Sequence, residues 1–223
     1  MAHKYIVLDL ETLGTKLGCP ILSIGAAAVE LESEKVDTFY CKLHLMYQSM
    51  AGLSESTMRW WMGQSEAARE AAFTEGADAQ TIYTALQMFN LWISDMKLKS
   101  GFDGISVWGN SSSFDIPLTG AAIVNSFINT PAAHEILRAS YERHGLENPW
   151  GFRADRDFRT LRALYKEKVP EPEFIGIRHH AKYDAMHEAK WLKLILQRMK
   201  AEESAWRCQE NARQEAASMI TPA

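Results

Sequence analysis

Apolar and polar positions alternate differently in the two halves of the chain, with strand-like runs in front and helical periods behind. Tyr5 to Leu8 is an unbroken run of β-branched, aromatic and aliphatic residues, the pattern of a strand buried near the centre of a sheet. Ile21 to Leu31, rich in small residues, reads as a second strand. Asp37 to Leu45 reads as a third, with Thr38, Tyr40 and Lys42 alternating against Phe39, Cys41 and Leu43. Three strands in immediate succession predict an antiparallel meander with the first strand inside the sheet. Ser54 to Phe73 has helical character, divided at Gly63-Gln64-Ser65. Gln80 to Lys97 sets Ile82, Leu86, Phe89, Ile93 and Met96 at helical spacing and predicts an amphipathic helix.

Ile105 to Trp108 is a short strand, followed by a polar loop and by a helix over Ile116 to Phe127, with Pro117 in its first turn. A short helix is expected around Ala132 to Leu137 and another over Phe158 to Lys168. The last begins near Ala181, with Ala185, Ala189, Leu192, Leu196 and Met199 along one face. These elements predict one α/β domain over residues 1–200. The polar stretch 201–223 is expected as an exposed helical extension or a frayed tail.

The first strand departs from its apolar pattern at Asp9 and Glu11. Side chains two apart on a strand share a face, so these acids project together beside a hydrophobic core. Two unpaired carboxylates there would repel and resist ionisation. A divalent cation resolves the conflict, since Mg²⁺ and Mn²⁺ prefer oxygen ligands. A strand end whose acids simply reach solvent accounts for the pair equally well. Asp115 stands at a strand-to-helix corner, where α/β sites often lie, and a helix cap is its plainer role. Arg178-His-His-Ala-Lys-Tyr-Asp184 is the other dense cluster. A loop histidine can serve as general base near neutral pH. His180 and His187 offer a second reading, a zinc or iron site built with His179 and Asp184.

Composition narrows this only a little. With 47% hydrophobic and 23% charged residues the chain is ordinary for a soluble protein, and no apolar run is long enough to span a membrane. Three widely spaced cysteines form neither a disulfide framework nor a zinc motif, so a reduced cytoplasm is the expected location. The net charge of −4 argues against a protein that coats nucleic acid with a broad basic surface. An enzyme that grips one end of a strand remains compatible with it.

Taken in order, Asp9-Leu-Glu11-Thr-Leu-Gly14, Asn110 to Asp115 and His179-His-Ala-Lys-Tyr-Asp184-Ala185 resemble the three motifs of the DEDDh 3′→5′ exonuclease family. Ser56-Thr-Met-Arg-Trp-Trp61 and Arg156-Asp-Phe-Arg-Thr160 look like segments of its phage exonuclease and exonuclease VIII-like branch, one of whose members acts on RNA. The resemblance implies a ribonuclease H-like mixed sheet, an antiparallel meander plus parallel strands, flanked by helices. It implies that Asp9, Glu11, Asp115 and Asp184 hold two Mg²⁺ or Mn²⁺ ions, with His179, five residues before Asp184, as the base. Thr12 and Leu13 would meet the 3′-terminal nucleotide, and Trp60, Trp61 or Phe114 would stack on a base. Core packing is the plainer reading for at least one of the two tryptophans, while for Asp157 and Arg159 an ion pair fixing the loop before a helix stands level with a role around the site. The expected substrate is a 3′ end, of single-stranded DNA first and RNA as the alternative. A catalytically silent nucleic-acid-binding module is the competing class, and oligomeric state is left open.

Overall fold

A computed structural model describes residues 3–74, 76–100, 104–110 and 133–220. Asp115, Phe114 and the helix expected over Ile116 to Phe127 lie outside the described residues. Five strands form one mixed sheet in the order β3-β2-β1-β4-β5. Strands β1 (Lys4–Thr12), β2 (Ile21–Val29) and β3 (Val36–Lys42) are the expected antiparallel meander. Strand β4 (Ile105–Gly109) lies parallel to β1, which is thereby central, and β5 (Asp155–Asp157) lies parallel to β4.

Helices flank this sheet: α1 (Glu55–Met62), α2 (Glu66–Phe73), α3 (Ile82–Ser100), α4 (Ala133–Arg143), α5 (Phe158–Tyr165) and α6 (Ala181–Ile220). Ser65 caps α2 by accepting from the Ala68 amide, which is why the predicted helix divides where it does.

The alternation of β1 assigns its two faces. Ile6 and Leu8 join Ile24, Phe39 and the α3 residues Leu86, Phe89 and Ile93 in one core. Val7 points the other way, into a second core with Ala27, Phe158 of α5, and Ala185, Ala189 and Leu192 of α6. Asp9 and Glu11 continue that second face. The sheet thus ends, on the side covered by α6, in two acids instead of apolar side chains.

Strand β5 was not expected, because Asp-Arg-Asp carries no β pattern. Tertiary contacts hold it: Asp155 accepts from the Trp150 indole at 2.8 Å and pairs with Arg138. Asp157 and Arg159, for which an ion pair is one of two readings, take separate roles. Asp157 caps α5 by accepting from the Thr160 amide at 2.7 Å, while Arg159 donates to the Asn110 carbonyl at 3.0 Å. Helix α4 is longer than the segment expected around Ala132 to Leu137. Helix α6 continues unbroken to Ile220. Among the described residues no helix is long and apolar enough to cross a membrane.

Candidate active site

Asp9 and Glu11 from β1 meet Asp184 from the first turn of α6. One carboxylate oxygen from each lies within 4.8 Å of the others, and no second group of three potential metal ligands gathers among the described residues. Glu11 is buried, while Asp9 and Asp184 are half-buried. The approach of α6 depends on Gly25, which pairs with Asp9 across the β1–β2 ladder. A Cβ at Gly25 would overlap the carbonyl group of Ala181 and the amide of Lys182. The glycine lets the helix start rest on the sheet directly beside Asp9. Gly25→Ala is therefore expected to cost about 1–3 kcal/mol from overpacking and to displace Asp184 from its partners. A melting temperature equal to the wild type's would contradict this contact.

Withdrawal from water acts on all of these acids, and repulsion by neighbouring carboxylates adds to it at Asp9, Glu11 and Glu188. Burial, then Glu11, Glu188 and Asp184, push the Asp9 carboxyl well above its ordinary range. Burial and Asp184 raise Glu11 to about 8. Asp184 is raised by burial, an effect opposed by His179, by the amides of His179 and His180, and by Arg178. Glu188, one helical turn beyond Asp184, is also pushed up to about 8 by burial and by Asp184, against the pull of Arg162 and Arg159.

These shifts have a consequence for the metal-free protein. The folded form keeps protons on Glu11 and Glu188 that the unfolded form has released. That contribution to stability is full below about 4.5 and is lost as pH rises through about 8. His3 and His180, whose pKa values burial lowers, act in the opposite direction up to about 6.5. Between about pH 7 and about pH 8 the melting temperature in chelator should therefore fall, as thermal melts can check. A rise across that window would contradict the cluster's electrostatics.

A cavity of about 300 Å³ opens over the cluster, lined also by Asn110, Arg162, Arg178, His179 and Glu188. His179 adopts a left-handed backbone conformation, φ 61°, which histidine tolerates better than most residues at a cost of roughly 1–3 kcal/mol. Its ring meets the edge of Trp60 at 4.8 Å between centroids. His180 instead stacks on Tyr40 at 4.4 Å, and His187 bonds Glu171 at 3.0 Å. Among the described residues the histidines do not gather with Asp184 as a ligand set, which argues against the His-rich zinc or iron reading.

The residues expected beside the 3′-terminal nucleotide divide. Thr12 is half-buried, and its hydroxyl donates to the Gly14 carbonyl at 2.7 Å. Leu13 is buried, and its backbone bonds Pro20 and Ser54. Trp61 is 1% exposed, packs with Leu13 and Leu22, and donates its indole N–H to the Thr12 carbonyl at 2.9 Å. Trp61 has no face left for a base, whereas Trp60 is 45% exposed. Asn110 and Arg178, from the ends of two sequence clusters, join the site together with Arg162 and Glu188, which no motif marks. For Glu188 the available signal was its position four residues after Asp184, on the same helical face.

Comparison with curated proteins returned no match. The model of the Rv2179c-like 3′-5′ exoribonuclease domain family matches residues 4–196. The matched span begins with β1, includes every described strand and extends beyond Asp184 into α6, so the whole acidic site lies inside it. The chain belongs to the Rv2179c-like 3′-5′ exoribonuclease domain family and is a hydrolase of the 3′-5′ exonuclease kind.

Proposed function

We propose that this chain is a metal-dependent 3′→5′ exonuclease that removes nucleoside monophosphates from single-stranded RNA. The observation that carries the reading is the gathering of the Asp9, Glu11 and Asp184 oxygens within 4.8 Å, under a cavity that His179 also lines. An all-oxygen, all-anionic donor set fits a hard divalent cation, and the repulsion it suffers without one supports the same fit. Mg²⁺ or Mn²⁺ bound there, in the two-ion arrangement the DEDDh resemblance implies, would supply charge stabilisation for in-line displacement at phosphorus.

The chain's own groups then divide the work. Asp9, Glu11 and Asp184 hold the cation, with Asp115 as the fourth acid carried over from the motif order. His179 accepts the proton of the attacking water. Arg162 and Arg178, on the cavity wall, offer positive charge to phosphate oxygens. Trp60 offers an exposed ring for stacking on a base, a contact that tolerates any sequence.

RNA is placed first because the family's description is of an exoribonuclease. Single-stranded DNA is the second substrate, since stacking and phosphate contacts do not read the sugar. Matched RNA and DNA oligonucleotides, each blocked in turn at the 3′ or the 5′ end, test both points. A 3′ block is expected to stop degradation and a 5′ block to leave it unchanged. Equal degradation of the 3′-blocked strand would end the exonuclease reading.

A further inference from the structure

Glu188 is a buried acid to which the roles set out above assign no part. It lies on the same face of α6 as Asp184, four residues further along, and it lines the same cavity. The residue is 8% exposed. One carboxylate oxygen accepts from the Asn110 side-chain amide at 2.6 Å. The other, Oε2, is buried and has no hydrogen-bond partner among the described residues. A buried carboxylate oxygen left unpaired costs free energy unless something cationic or hydrogen-bonding meets it.

Asn110 fixes the carboxylate from the C-terminal side of β4, so the bonded oxygen anchors the group while the other stays free. Glu188 stands outside the tight trio formed by Asp9, Glu11 and Asp184, so its free oxygen does not duplicate theirs. Arg162 and Arg159 attract the carboxylate, but neither bonds Oε2, which stays available to an ion held beside the acidic cluster.

We infer that Glu188 is a further metal ligand, offering Oε2 to a second divalent cation position beside Asp9, with Asn110 as the residue that orients it. This rests on the reading of the Asp9–Glu11–Asp184 cluster as a cation site. It predicts two Mn²⁺ binding events, of which Glu188 governs one.

Calorimetric titration with Mn²⁺ tests the assignment without reference to turnover. The wild type is expected to bind two equivalents. Glu188→Gln preserves shape and the bond from Asn110 and is expected to weaken one event by about tenfold or more, leaving the other intact. Glu188→Ala should reproduce that loss, so the test does not depend on a single variant folding. In chelator, melting of Glu188→Gln at about pH 8 should match or exceed the wild type's, because a neutral amide escapes the burial penalty that the carboxylate bears. Two unchanged Mn²⁺ events in either variant would overturn the role of Glu188 and leave the proposed function standing. No Mn²⁺ binding by the wild type would overturn both.

Discussion

Asp184→Asn is expected to abolish hydrolysis while leaving the metal-free fold at least as stable as the wild type's. Asp184 brings a carboxylate from α6 to the two acids of β1, and its charge raises Asp9, Glu11 and Glu188. Asparagine fills the same space without that charge, so repulsion in the empty cluster falls. The same change removes one of the anionic donors, and a hard cation loses both charge and geometry. Two opposite effects from one substitution separate a ligand from a residue that merely supports the fold. Initial rates together with melting curves in chelator would show them. Wild-type turnover in Asp184→Asn would sink the site assignment.

His179→Ala is expected to slow turnover by about 10²–10⁴-fold, the usual range for a lost general base. Metal binding should survive, because the ligand group contains no histidine. His180→Ala provides the internal comparison. That ring stacks on Tyr40 and lies 4.7 Å from Tyr183, so its loss acts on packing and not on the reacting water. Single-turnover rates with Mn²⁺ binding measured in parallel would distinguish the two. If His180→Ala carried the large kinetic loss and His179→Ala did not, the base would be the neighbouring residue.

How far the sequence reached follows from what kind of interaction fixed each feature. Asp9 and Glu11 were readable because a strand's period of two is local and forces both acids onto one face. Helix α3 was readable for the same reason at a period near 3.6. Strand β5 was not, since it pairs with β4 and Asp155 is held by Arg138 of α4, neighbours that only the folded chain brings near. Trp60 and Trp61 are adjacent on a helix and face different ways, and nothing local says which one meets the core. Leu13, Leu22 and Ala72 settle it by enclosing Trp61. Gly25 looked like one small residue in a run of them, until its register opposite Asp9 and its contact with the start of α6 gave it a purpose. Glu188 was hidden because a helix pattern shows which residues share a face, not what that face meets.

The reading of the acidic cluster as a metal-dependent 3′→5′ active site is tested most directly by one gel. A 5′-labelled single-stranded RNA and its DNA counterpart are incubated with Mg²⁺ or Mn²⁺, beside a chelator control. The cluster of Asp9, Glu11 and Asp184 predicts a ladder that shortens from the 3′ end only when metal is present. Cleavage that persists in chelator, or no cleavage of either strand with either metal, would contradict it.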